Sequence, residues 1–382
     1  LKVMSHSSVS RFKGQKVDAQ EAGRRLNVQA VLTGRLAQRG ANLSISAELV
    51  NVRDNTQIWG EHYDRKLADI LAVQEEISRD ITDKLRLKLS GQQKKSLAKR
   101  YTQDTEAYQE YLKGRYYWNK RTGESLKTAT AHFEQAIAKD PAYALAYAGL
   151  ADCYVLQSTF EAVPAREAFP RAKALAQKAL EMDETLAEAH AAVAFAVQTH
   201  DYDWGSAERH YQRALELNPS YATAHQWYAQ CLLSMGRFDQ ALTQMRRAQE
   251  LDPLSLIINT FVGVVLDWSG RPDEAIEQLR KTLALDPNFM VAHGRLGGAY
   301  MEKSMYREAI AELQTAVQLS GGAWAVAGYL GYAYAVSGNQ IQARQILDEF
   351  RRRASRQYFP ALAFAMVYTG LGDKDRAFEW LS

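Results

Sequence analysis

Residues 290–323 read MVAHGRLGGAYMEKSMYREAIAELQTAVQLSGGA, and this stretch decides the fold. Its marked positions are Leu296, Gly297, Tyr300, Ala309, Leu313 and Ala316. The same pattern stands 34 residues earlier as Val262, Gly263, Leu266, Ala275 and Leu279 with Pro287, and 34 later as Leu330, Gly331, Tyr334, Ala343 and Leu347. Working outward, Ala207, Ala241, Ala275, Ala309, Ala343 and Ala377 keep that interval throughout, as do Pro219, Pro253 and Pro287. Six small residues do not fall into such a register by chance, so the chain carries an internal repeat.

The order of aromatic, Leu-Gly, Tyr, Ala, Phe and Pro positions resembles the tetratricopeptide repeat family over residues 105–382. That resemblance implies a mainly α fold: a right-handed α-solenoid of about eight helical hairpins, behind a small N-terminal α/β domain. Hairpins are expected to open near Thr105, Ala144, Ala187, Ala222, Leu256, Met290, Trp324 and Tyr358. Repeat two carries about nine extra residues around 160–169 and repeat three one extra near 200–204. Repeat eight stops two-thirds through, so a capping helix is expected after Ser382 to cover Phe378 and Leu381.

Position by position, the chemistry agrees with this reading. Gly236, Gly270 and Gly338 fall between the two helices of their repeats, where glycine takes the left-handed conformation that closes a helix. Asp140-Pro141, Asn218-Pro219, Asp252-Pro253 and Asp286-Pro287 are read as N-caps, each followed by a first-turn proline. The Ala series marks close helix contact, where extra methylenes overpack.

Residues 1–100 differ. They hold 19 Lys/Arg against 11 Asp/Glu in a chain whose net charge is only +3. The charges are scattered, as on a solvated surface. The pattern predicts a strand over 1–9, a short helix over 18–27, an antiparallel pair Ala30–Arg39 and Asn42–Asn51 joined at Gly40-Ala41, and a helix over 70–89. The stripe Ile70, Val73, Ile77, Ile81, Leu85 and Leu89 is the buried face of that helix. The strings RFKG (11–14), LNVQAVLTGRL (26–36), WGEHYDR (59–65) and DILAVQEEI (69–77) resemble the TolB-amino-terminal-like domain. The division is then 1–90 partial TolB-like domain, 91–104 linker and 105–382 solenoid. The resemblance implies an opening strand and helix ahead of Leu1, and a setting between an upstream signalling module and the repeats. That module is a serine/threonine kinase or a winged-helix DNA-binding domain, often with a membrane tether upstream of residue 1. The corresponding localisation is bacterial, on the extracytoplasmic side of a membrane-anchored protein or in the cytoplasm.

No GxxxxGK phosphate loop, HRD or DFG triplet, GxSxG, HExxH or CxxC occurs. These residues are therefore read as non-catalytic, with no cofactor, no metal and no direct nucleic-acid contact. Cys153 and Cys231 sit at a small packing position two repeats apart, too distant for a disulfide. His190, His225 and His293 share the fourth position of their first helices and are read as packing or hydrogen-bonding residues; His200, Asp201, Asp203 and His210 form a weaker metal-like cluster. The uncharged run 318–343 is too rich in Gly and Ser for a membrane span.

What remains is a groove. The resemblance places the first helix of each repeat on the concave surface, and the matching positions are Gln226, Trp227, Gln230, Phe261, Val264, Trp268, Arg295, Met301, Glu302, Tyr329 and Tyr332. Aromatic and Arg enrichment suits a protein or peptide ligand. The expected function is a peptide-binding scaffold or sensory region of a larger bacterial regulator. The alternatives are the substrate-selecting region of a kinase and the effector region of a winged-helix regulator.

Overall fold

A computed structural model describes residues 9, 12, 17–84, 101–160, 164–356 and 358–381. The strand expected over 1–9 and the end of the 70–89 helix fall largely outside these residues. So does most of the expected linker.

The N-terminal part opens with α1 (Ala19–Leu26), capped at one end by the Asp18 carboxylate accepting from Glu21 N–H and at the other by Asn27 in the left-handed region. Strands β1 (Ala30–Arg39) and β2 (Asn42–Asn51) pair antiparallel from Ala30–Asn51 to Arg39–Asn42, turning at Gly40 with φ of 60°. A third strand, β3 (Gln57–Lys66), pairs with the other edge of β2 through a bulge at Leu49/Val50. The sequence reading did not predict β3. Charged residues interrupt its alternation, and only Trp59 and Tyr63 are buried. Helix α2 (Ile70–Lys84) lays Val73, Ile77 and Ile81 on Ala47, Leu49, Trp59 and Tyr63, as the stripe predicts. The Tyr63 hydroxyl donates to Asp80 at 2.8 Å, closing that small core.

Eight helical hairpins follow among the described residues. They are α3 (Thr105–Trp118) with α4 (Gly123–Lys139), α5 (Ala144–Phe160) with α6 (Ala165–Met182), α7 (Ala187–Ala196) with α8 (Trp204–Leu217), and α9 (Ala222–Ser234) with α10 (Phe238–Leu251). The array continues with α11 (Leu256–Trp268) and α12 (Pro272–Leu285), α13 (Met290–Glu302) and α14 (Tyr306–Leu319), α15 (Trp324–Val336) and α16 (Gln340–Ala354), then α17 (Ala361–Gly370) and α18 (Lys374–Glu379). Seven hairpins open at the expected residue. The eighth opens at Ala361 rather than Tyr358, because Pro360 keeps extended backbone at the N-cap. The extra residue of repeat three is absorbed as a π-turn at Val197–Asp201.

Hairpins three to eight rest on the Ala register. Ala207, Ala241, Ala275, Ala309 and Ala343 are fully buried and Ala377 nearly so. Gly236, Gly270 and Gly338 close their helices with φ of 72°, 73° and 87°. The Asp-Pro assignment needs correction. Asp140, Asn218, Asp252 and Asp286 are C-caps of the preceding helices, and Tyr221, Ser255 and Phe289 are the N-cap residues of the helices that follow the last three. Their side chains instead close local turns: Asp140, Asn218 and Asp286 accept from the backbone N–H two residues on. Proline follows because it cannot extend the helix just ended.

Hydrogen bonds from Tyr108 Oη to Gln74 Oε1 at 2.8 Å and from Thr105 Oγ1 to the Ala68 carbonyl at 3.2 Å tie the α/β part to the array. Residues 101–104, expected as linker, are anchored as well. Buried Thr102 donates to Asp140, and Asp104 caps α3. Among the described residues no helix is long and apolar enough to cross a membrane.

Candidate functional site

First helices of successive repeats pack directly on one another, while second helices pack mainly between first helices. Adjacent hairpins therefore converge on the first-helix side and diverge on the other, which makes the first helices the inner wall of the curve. The residues expected to line a groove all stand on the first helices of repeats four to seven, and they divide sharply by exposure.

Trp227 is a core residue: its ring is 1 % exposed and lies 5.0 Å from that of Phe195 on the preceding repeat. Val264 is likewise buried. Neither offers a surface, so the expectation that Trp227 anchors a ligand is corrected. A first-helix face is shared between groove and neighbour, and the large ring fills the inter-repeat seam, where it buries most area. Gln226 is nearly buried and reaches the groove only at the edge of a trough described below. Gln230 and Tyr332 are half-buried, Tyr332 lying against Gly370, and Met301 bridges the cores of repeats six and seven.

The accessible members are Trp268 at 57 % exposure, Tyr329 and Glu302. Phe261 is half-buried beneath Arg295, whose guanidinium carbon is 5.9 Å from the ring centroid. This cation–π stack presents an apolar edge and a fixed positive charge side by side. Asp267, which the sequence reading missed, faces the same region. Burial, then the Glu302 charge, push its carboxyl up to about 6 against the pull of Arg295, and its Oδ1 has no partner. The signal was visible in the sequence as a lone acid in the otherwise apolar helix LIINTFVGVVLDW.

A second polar group stands at the start of the array. Asp152 on α5 is fully buried and accepts from Arg115 Nη1 at 2.8 Å across the first two repeats. Burial pushes its carboxyl up to about 6 even so. Arg115 and Arg121 both stack on Trp118, at 4.4 and 3.7 Å from the ring. Near them opens a trough of about 320 Å³ between the end of α3 and the beginnings of α9, α11 and α13. The superhelical path brings repeat one opposite repeats four to six, an approach that no local pattern could announce.

The histidines are structural. His225 contacts Gln244 Oε1 and the Pro219 carbonyl, His293 contacts Glu312 and the Pro287 carbonyl, and His190 contacts His210 and the Glu184 carbonyl. Each ties its first helix to the second helix of the same repeat and to the preceding turn. The four residues of the metal-like cluster are engaged separately: His200 stacks on Phe169, Asp201 pairs with Lys173, Asp203 caps α8 and His210 meets His190. Cys153 and Cys231 are buried thiols, and burial pushes that of Cys231 up to about 11.

Stacked hairpins around a curved inner wall define the class: an α-solenoid interaction scaffold. Residues 198–257 and 263–323 match family models of the tetratricopeptide repeat. The chain is 29% identical over 200 residues to putative adenylate cyclase 3 of Rhizobium meliloti (strain 1021), covering 52% of this chain and 34% of that protein. The chain thus spans about a third of the curated relative it matches. Among solved structures, the APC/C hetero-tetramer Cut9-Hcn1 is similar at a TM-score of 0.53 and 18% identity, covering 72% of this chain and 51% of that one. The human IFIT1 dimer with PPP-AAAA is similar at 0.51 and 17%, covering 68% and 67%. At these identities the likeness is one of fold.

Proposed function

We propose that the inner wall of repeats four to seven binds a peptide segment of a protein partner, in the non-catalytic region of a larger bacterial signalling protein. The observation that carries this reading is the Phe261–Arg295 stack, flanked by the exposed Trp268 and Tyr329 on the face where successive first helices converge. An apolar edge beside a guanidinium suits an extended or helical peptide, whose side chain packs while a carboxylate takes two parallel hydrogen bonds.

In the same proposal residues 1–90 are a partial TolB-like domain, in keeping with the antiparallel sheet covered by α2. The larger protein carries its output module elsewhere: a serine/threonine kinase, a winged-helix domain or, following the Rhizobium relative, a nucleotide cyclase.

The test is a peptide-array screen with the purified chain, then titration of the selected peptide against Phe261→Ala and Arg295→Ala. Each substitution is expected to weaken binding by about 2 kcal/mol, as truncation of a central anchor does. Unchanged affinity in both variants, with circular dichroism intact, would move the binding surface off this wall. The chain alone is also expected to turn over neither ATP nor GTP, and turnover that persists through repurification would overturn the non-catalytic reading.

A further inference from the structure

In repeats three to six the two helices of each hairpin are joined by a side-chain clip at one register position. Its members are His190 with His210, His225 with Gln244, Asn259 with Gln278 and His293 with Glu312. The first-helix member also bonds a carbonyl in the turn before it, that of Glu184, Pro219, Pro253 or Pro287. The partner decides what acid does to each clip. Asn259 and Gln278 do not titrate, while Gln244 and Glu312 each offer an oxygen that can accept from a charged ring. Repeat three differs from the other three clips in having an imidazole on both sides.

A carbonyl only accepts, so the 3.2 Å contact from His190 Nε2 to the Glu184 carbonyl puts a hydrogen on Nε2. His190 Nδ1 lies 3.0 Å from His210 Nδ1, a contact with room for one hydrogen. A first added proton keeps this bond, since a charged ring donates to a neutral one. A second leaves two N–H groups and two positive charges face to face. Arg213 acts on His190 and Arg209 on His210 in the same unfavourable sense, with Glu184 opposing on His190. Burial, the largest cause, holds both rings below their ordinary 6.5. Stability that comes from depressed imidazoles is present above 6.5 and is lost as pH falls through the lower folded values.

The hairpin that carries this pair is lightly built. Helix α7 has ten residues, where the first helices of repeats four to seven have thirteen. Of the seven residues it buries six are alanine, so little apolar area holds it in place. Its far end runs into the π-turn Val197–Asp201 and then Tyr202 at φ of 57°, which interrupts regular helical bonding before α8 begins.

We propose that repeat three is an acid-operated hinge: when both His190 and His210 are charged, α7 parts from α8, and repeats one and two turn relative to repeats four to eight. The buried bond from the Tyr211 hydroxyl to Gln198 Oε1, at 3.0 Å, ties α8 to the π-turn, so the hairpin pivots there rather than coming apart. The curvature of the array then follows pH without any ligand. This is independent of the peptide-binding reading, because the seam lies inside the array and not on its inner wall.

The experiment follows amide exchange over the whole chain at about pH 7 and about pH 5, corrected for the intrinsic pH dependence of exchange. Protection in α7 and α8 is expected to fall by about tenfold or more, since an opening that gains one proton shifts about tenfold per pH unit. Repeat five, clipped by Asn259 and Gln278, should keep its protection. His210→Gln copies the partner found at Gln244, and the double variant His190→Asn/His210→Gln copies the whole repeat-five pair. Both should lose the acid response while repeat three stays protected at neutral pH. Small-angle scattering should show the maximum dimension changing with acid in the wild type and not in the double variant. Where the variants fold poorly, the ring-nitrogen resonances of the unaltered chain decide. A shared titration in two steps, the second well below 6.5, is expected. Two rings titrating independently at or above 6.5 would overturn the proposal. So would an equal loss of protection in repeat five, an acid response that survives in the double variant, or wild-type dimensions that ignore acid.

Discussion

Gly297 and Gly298 are neighbours in the middle of α13, yet alanine at the two positions should act in opposite directions. A Cβ on Gly297 would stand 2.6 Å from Leu313 Cγ, 3.0 Å from Leu313 Cδ2 and 3.2 Å from the Ala309 carbonyl oxygen. Leu313 and Ala309 are fully buried, so neither side chain nor backbone has room to give way. Overpacking of this kind costs about 1–3 kcal/mol, set against roughly 1 kcal/mol gained from helix propensity. With backbone as well as side chain in the way, Gly297→Ala should therefore destabilise by up to about 2 kcal/mol. A Cβ on Gly298 meets nothing within 4 Å, and the residue has ordinary helical geometry. There the propensity gain stands alone, and Gly298→Ala should stabilise by up to about 1 kcal/mol. Urea melts followed by circular dichroism give both values, and amide exchange shows whether the change centres on repeats five to seven. Two shifts of the same sign would refute the packing argument, because propensity treats the two glycines alike.

Ala275→Leu, at a fully buried position, should lower protection in repeats four to six while leaving the three-stranded sheet untouched, since a solenoid repeat contacts mainly its neighbours; equal loss over residues 30–66 would contradict this. Asp152, raised from 3.8 to about 6 by burial, holds its proton longer folded than unfolded. Its contribution to stability is full below about pH 4 and is lost as pH rises through about 6, so Asp152→Asn should flatten the melting temperature over that window; an unchanged slope would show that Asp152 titrates normally. Asp267→Asn should act in the same direction, with a smaller effect because Asp267 is only half-buried. His293→Ala removes both the Glu312 contact and the Pro287 carbonyl contact, and exchange should quicken first in α13 and the turn before it.

Much of this molecule is written locally. The 34-residue register, the left-handed glycines at 236, 270 and 338 and the β1–β2 pairing could be read from spacing alone, because each depends on backbone preference or on a face repeated at fixed intervals. The same locality explains the miss at β3, whose burial is set by α2 above it and leaves only Trp59 and Tyr63 covered. Which inner-wall residues are free for a ligand was not local at all. Trp227 and Phe261 occupy the same repeat position, yet one fills the seam beneath Phe195 and the other lies under Arg295 at the surface, since exposure depends on the neighbouring repeat's side chains. The meeting of Arg121 and Trp118 with the starts of repeats four to six was further out of reach. It arises from the accumulated rotation of successive hairpins, a sum over many small packing angles that only the assembled solenoid carries out.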